Sequence, residues 1–552
     1  MPDAETGNGK DLAFELTQFR RRLSELAPKE RLEALVSAPV AKELVQSIPA
    51  DELYSTIAEV GLADATELVH LASPEQFQAF LDLGAWSKDR IEAHRAITWL
   101  RAARVDDPHE FLAKVRALDV ELLELVLRSA TAVHDREAEP DYHPEGVVVE
   151  TPDGKYLLEF SVEGAELSTM RALVSGLIAE DPFHASRLFE AIRWELPSEI
   201  EETAYQLRQA RLGDLGFPTL EEASAVFTFL EPGPAAPEAV VGGQELEAAR
   251  PDHLRSAFRG LSDDERDQYE EQLRYLANCV LVAEAAEPGD PVMGRRGAEM
   301  VRDYLALGFE HLGANTSRAS DLVRRVGLRR IFQIGFSLTL KLKFRADRIA
   351  RHPLARLEGA YLLFPQEEVV VSALRRRRPL RALRVEGAEP VPFRSASELR
   401  EAQGAVDRAE QQVAMLAALL GGTAPAAREA VERFGMPLRQ LGVERLFAAI
   451  AANALLDSEL NVAPVDRNRI GELLEKLIVG DASDARARVT AIECVTSVVR
   501  QGVPPEATGE LKRQVEAALS ALARDLGPAY VRGQPFEPQA LVNLPVRGQS
   551  SL

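Results

Sequence analysis

Between Pro39 and Gly84 the chain spells out one helix-sized phrase four times. The phrases are PVAKELVQSI from Pro39, PADELYSTIAEVG from Pro49, LADATELVHLA from Leu62 and SPEQFQAFLDLG from Ser73. Each opens on a helix-start signal and sets apolar residues three or four apart. Helices of about ten residues are marginal alone and cannot each enclose a core, so they must bury their faces against one another. This predicts a stacked array of short helices, a shape suited to holding or binding.

The rest of the chain extends that reading. Of its 552 residues 46% are apolar but only 6% aromatic, and the dominance of Ala and Leu favours helices over sandwiches or barrels. Residues 10–27 set Leu12, Leu16, Phe19, Leu23 and Leu26 on one helical face. Ser73-Pro74-Glu75-Gln76 is a capping box with proline at the first helical position, and Asp107-Pro108-His109-Glu110 repeats the design. Helices are expected to about Ala132. Then HDREAEPDYHPE, His134 to Glu145, breaks the pattern. Val147–Val149 and Tyr156–Phe160 flank Thr151-Pro152-Asp153-Gly154, which predicts a β-hairpin near 147–160. Segment 328–350 alternates in places with strand period, but its length and lack of turn signals predict a helix.

The expected fold is therefore mainly α: a multi-domain helical array or superhelix of short helices with one small hairpin. The expected parts are a short-helix array over 1–135, the hairpin with further helices over 136–230, and a linker over 231–251. A middle helical region over 252–390 and a C-terminal helical domain over 391–530 follow, then a disordered tail over 531–552.

Charge and composition exclude several classes. The net charge of −22 makes the whole chain a poor nonspecific ligand for DNA or anionic lipid. No apolar run approaches the ~20 residues of a membrane helix, so no membrane insertion is expected. The start, MPDAETGNGK, has neither a basic nor an apolar targeting region. Cys279 and Cys494 lie far apart in apolar helical patterns, so both are expected buried and unreactive. A cytoplasmic location is expected.

No phosphate-binding loop and no H-E-x-x-H occurs, and Gly335-Phe336-Ser337-Leu338-Thr339 lacks the second glycine of a nucleophile elbow. The chain reads as not an enzyme, with no catalytic residues. The dense patch His134, Asp135, Glu137, Glu139, Asp141, His143 and Glu145 reads as a solvated loop. On the helix from Pro197, Glu201, Tyr205, Arg208 and Leu212 are spaced four, three and four, which places a candidate docking stripe on one face. From Arg318 to Arg384 fifteen arginines and two lysines face five carboxylates, a net of +12 that leaves −34 elsewhere. Its peak, Arg375, Arg376, Arg377 and Arg378, is the candidate site for an anionic partner. Few interleaved aromatics are available to stack bases, which argues against nucleic acid.

Two resemblances follow from quoted segments. The stretch ELVQSIPADELYSTIAEVGLADATELVHLASPEQFQAFL resembles the intracellular helical domain of bacterial magnesium transporters over about residues 29–130, and shares the superhelical style of flagellar motor switch proteins. In those transporters Mg²⁺ holds acidic side chains together at a domain interface. The resemblance therefore implies Asp51, Glu52, Glu59, Asp64 and Glu67 as metal candidates and Mg²⁺ as the one candidate cofactor. The segments PDGKYLLEF at 152–160, EIEETAYQLRQARLGDLGFPTLEEA at 199–223 and RRRRPL at 375–380 resemble a large uncharacterised bacterial family across most of the chain. That likeness implies no activity.

The functional expectation is a non-catalytic cytoplasmic interaction or regulatory scaffold that presents helical surfaces to a protein partner. The alternative is a Mg²⁺-responsive helical module. A second alternative is a protein that binds an anionic partner, nucleic acid included, through residues 318–384.

Overall fold

The structure, a computed structural model, describes residues 26–105, 107–234, 252–314, 318–357, 360–383, 385, 387–480, 486–533 and 541–547. Most of the helix predicted over 10–27 and of the linker predicted over 231–251 lies outside them. Among the described residues the fold is mainly α, with 25 α-helices and four small antiparallel sheets. The chain divides into two compact units. The first takes the described residues through Phe227 together with Ser262–Val301; the second takes the described residues among 228–261 and those from Arg302 onward.

The first unit opens with the predicted array: α1 (Pro28–Val36), α2 (Ala41–Ser47), α3 (Ala50–Val60), α4 (Thr66–Leu71) and α5 (Pro74–Gly84). A ribbon of β1 (Trp86–Ser87) and β2 (Arg90–Ile91) follows, then α6 (Ala93–Ala102), α7 (Pro108–Arg116) and α8 (Val120–Ala130). Each helix packs against the one two places further on, from α1 on α3 to α6 on α8. Short helices thus share a core that none could close alone. The capping box of α5 does two jobs. Gln76 N–H donates to Ser73 Oγ at 3.2 Å and Ser73 N–H donates to Gln76 Oε1 at 2.9 Å. The Gln76 amide then donates to the carbonyls of Val45 (3.0 Å), which also accepts the Ile48 N–H, and of Ile48 (2.8 Å), tying the start of α5 to the end of α2.

The hairpin is present but belongs to a larger sheet. β4 (Val148–Glu150) and β3 (Thr131–Asp135) flank β5 (Tyr156–Phe160) on either side. Gly154 takes φ +69° at the turn, and its N–H donates to Thr151 O at 2.9 Å. The first unit continues through α9 (Gly164–Glu180), α10 (Pro182–Trp194), α11 (Pro197–Asp214) and α12 (Leu220–Ala225). Residues on both sides of 135, from Leu35 to Phe217, lie in one core cluster, so the boundary predicted at 135 is not a structural one.

The second unit holds α13 (His253–Arg259). The first unit resumes with α14 (Asp263–Ala283), on which α12 packs, and α15 (Pro291–His311) carries the chain past Val301. Then follow α16 (Ala319–Val326) and α17 (Leu328–Arg351), the latter helical as its length predicted. A ribbon of β6 (Arg356–Leu357) and β7 (Ala360–Tyr361) leads to α18 (Pro365–Leu374) and α19 (Ala396–Leu419). The glycine pair stops α19 as expected: Gly421 and Gly422 both take positive φ, and Gly422 N–H donates to Ala417 O at 2.7 Å. The remaining elements are α20 (Ala424–Glu432), α21 (Leu438–Leu441), α22 (Val443–Asp457), α23 (Ile470–Leu477), the ribbon β8 (Ile478–Val479) and β9 (Arg486–Ala487), α24 (Val489–Val499) and α25 (Thr508–Val531). α22 is buried on nearly every side and packs against α23, α24 and α25.

Three expectations are corrected here. One core cluster runs from Leu354 to Val546, so no boundary falls at 390. The tail is not wholly free, because Leu541, Leu544 and Val546 are buried in that cluster and Val546 bridges to Val465. Cys279 is buried as expected, but Cys494 is exposed. The buried stripe of α24 is Ala491, Val495 and Val499, and Cys494 lies off it.

Candidate functional site

The stripe on α11 folds inward rather than out. Arg208 is buried; its Nε donates to Asp82 O at 2.8 Å and its Nη1 to Lys88 O at 3.2 Å, with the guanidinium 5.0 Å from the centre of the Trp86 ring. Arg211 holds both carboxylate oxygens of the fully buried Asp82, at 2.7 and 3.0 Å, and reaches Asp119 at 2.5 Å. Burial pushes the Asp82 carboxyl up while Arg211 pulls it back. Tyr205 and Glu201 are half-buried, Tyr205 beside Trp86. Arg208 therefore clamps α11 onto α5 and the β1–β2 turn and is not an exposed docking residue.

The five metal candidates separate. Asp51, Glu52 and Glu59 line a cavity of about 380 Å³ in the first unit; Asp64 and Glu67 are exposed and do not line it. Across the cavity stand arginines: Arg274 lies 2.9 Å from Glu52 and 4.0 Å from Asp51, Arg295 lies 3.3 Å from Glu59, and Arg31 donates to Thr56 Oγ1 at 3.2 Å. The carboxylates are thus answered by guanidinium groups of their own unit.

The acidic loop before the hairpin is pinned rather than merely solvated. Glu159 Oε1 accepts from the N–H groups of Glu145 and Gly146, and Tyr142 donates to Glu159 Oε2. Arg193 of α10 pairs with Asp135 at 2.9 Å and Glu139 at 3.1 Å. In the second unit the basic peak divides. Arg375 donates to Asp347 at 3.0 Å and to Tyr361 OH at 2.6 Å, and Lys343 caps the end of α18 through the carbonyls of Arg375 and Arg376. Arg376 and Arg377 are exposed and Arg378 is half-buried. Gln412, fully buried, donates to both Glu367 and Glu510, at 2.9 and 2.8 Å, and accepts from Phe364 N–H at 3.1 Å. Arg408 and Arg513 complete this network.

Against these satisfied interior groups, the outer face of α10 stands out. Phe183 is 87% and Trp194 73% exposed, and Leu196 just beyond the helix is also exposed. Phe183 and Trp194 are eleven residues apart, about 16 Å along the axis and on one side of the helix. Between them on that side lie exposed Arg187 and Glu190. Lys155 stands 3.8 Å from Glu190, and the Arg193 guanidinium lies 5.4 Å from the centre of the Trp194 ring.

A family model matches residues 8–547. The chain belongs to that family, a family of unknown function (DUF6178). The match spans nearly the whole chain, as the resemblance to an uncharacterised family implied. No curated protein and no solved structure shows detectable similarity to this family member.

The outer face of α10 was missed in the sequence, although its signal was there. In PFHASRLFEAIRW the buried stripe is Ala185, Leu188, Phe189 and Ile192. Phe183 and Trp194 fall on the opposite side of the wheel, two large aromatics out of phase with the core. Position on the wheel, rather than hydrophobicity, identifies them.

Proposed function

We propose that this protein is a non-catalytic interaction module that docks a protein partner on the outer face of α10. The observation that carries the reading is the pair of exposed aromatics, Phe183 and Trp194, on one side of a helix whose other side is fully packed. Trp and Arg are the side chains most enriched at the centres of binding energy in interfaces, and each aromatic brings a large apolar area at little entropic cost. The groups that could otherwise suggest chemistry, Asp82, Arg208, Glu367 and Gln412, are engaged in interior hydrogen bonds.

The test is retention of a partner from nuclease-treated native extract by the full chain and by Phe183→Ser and Trp194→Ser variants. A discrete protein held by the wild type and lost from both variants supports the reading. Identical retention by all three forms sinks it. The magnesium-responsive alternative asks Asp51, Glu52 and Glu59 to exchange Arg274 and Arg295 for a hydrated cation. Melting curves that coincide in Mg²⁺ and Na⁺ at equal ionic strength would remove it.

A further inference from the structure

We infer that the outer face of α10 pairs with the same face of a second copy of this chain, antiparallel and about a two-fold axis. The inference rests on the docking reading above and names its partner. Phe183, Arg187, Glu190 and Trp194 are spaced four, three and four along the helix, the spacing of a helix–helix seam. All four are exposed, and their order is apolar, cation, anion, apolar.

That order is self-complementary in one direction only. Arg187 and Glu190 sit at equal distances from the midpoint of the stripe, between Leu188 and Phe189, and so do Phe183 and Trp194. When two copies of α10 run antiparallel about that midpoint, Phe183 meets Trp194 of the second copy and Arg187 meets its Glu190. The two-fold repeats each contact, giving two aromatic pairs at the ends and two ion pairs at the centre. A parallel arrangement would set Arg187 on Arg187 and Glu190 on Glu190, and like charges in register disfavour it. The half-buried flanking residues Ser186 and Ala191 are symmetric about the same midpoint, and both are small enough to let the helices approach. Lys155, beside Glu190, adds positive charge on the rim without altering this symmetry.

A single helix pair buries less than the ~1,200–2,000 Å² of a standard interface, so the dimer depends on concentration. Sedimentation equilibrium of the full chain is the test, run on wild type, Arg187→Glu, Glu190→Arg, the double exchange and Trp194→Ser. The average mass of the wild type is expected to climb toward twice the monomer value between about 1 and 200 µM. Each single charge reversal, counted twice by the two-fold, should weaken association at least about tenfold, and the double exchange should restore it to within about threefold. Trp194→Ser should stay monomeric. Far-UV circular dichroism checks that these surface changes leave the helices intact. A monomeric wild type, or a double exchange no better than the single reversals, overturns the pairing. If the wild type is monomeric yet still holds another protein in a Trp194-dependent manner, self-pairing fails and the docking reading survives. If neither is seen, both fail.

Discussion

Glu124 is buried on α8, and its Oε2 makes no hydrogen bond. Burial, reinforced by Glu195 and Glu121 and opposed by Arg128, pushes its carboxyl up to about 7. The unfolded chain releases that proton near the ordinary glutamate value, so between roughly pH 4.5 and 7 the folded state holds a proton that the unfolded state has lost. The contribution to stability is complete below that window and declines as pH rises through it. Glu124→Gln should match wild type below pH 4 and exceed it by roughly 2–3 kcal/mol above pH 8, read from urea unfolding across pH. Gln412 makes the opposite case, since its amide stands between two buried carboxylates, Glu367 and Glu510. Gln412→Ala should cost about 3 kcal/mol or more, because it removes one donor from each carboxylate and leaves a void. The same urea titration measures it.

Within the second unit α15 and α17 cross backbone to backbone. A Cβ on Gly335 would lie 1.9 Å from Tyr304 O, and one on Gly308 would lie 2.1 Å from Ile331 O. Tyr304 also meets the rings of Phe332 and Phe336 edge-on, each at 5.3 Å. Gly335→Ala and Gly308→Ala should each destabilise the fold by about 2 kcal/mol or more through forced separation of the helices, seen as a lowered melting temperature. Ser337, beside Gly335 on α17, accepts from Leu230 N–H at 2.9 Å and is structural. Helix starts and stops were legible in the sequence: Ser73, Pro74, Gly421 and the Pro152–Gly154 turn all act locally, within a few residues. β3 was not legible, because Thr131–Asp135 is a strand only by pairing with Tyr156–Phe160. The inward turn of Arg208 was hidden likewise, since spacing shows which residues share a face but not where that face points.

At the scale of the whole molecule the two units carry separate core clusters, one running from Leu35 to Leu281 and one from Leu354 to Val546. All three tryptophans, Trp86, Trp99 and Trp194, belong to the first unit. Urea unfolding followed by tryptophan fluorescence should therefore report the first unit, while circular dichroism reports both, and the two curves should not coincide. Gly335→Ala should shift the dichroism curve and leave the fluorescence midpoint in place; a common shift would mean that the units unfold together. The discontinuity of the first unit bears on how the chain is made. Its helix α14 follows, in order of synthesis, residues 228–234 and 252–261, which belong to the second unit. Until Ser262–Val301 leaves the ribosome, Glu52 and Glu59 await Arg274 and Arg295, Gly216 O awaits the Asn278 amide, and Tyr54 awaits Gly289 O. An expression boundary drawn at the proline- and glycine-rich stretch near 231 would release a polypeptide with an open flank, and such a fragment is expected to need a chaperone or to precipitate.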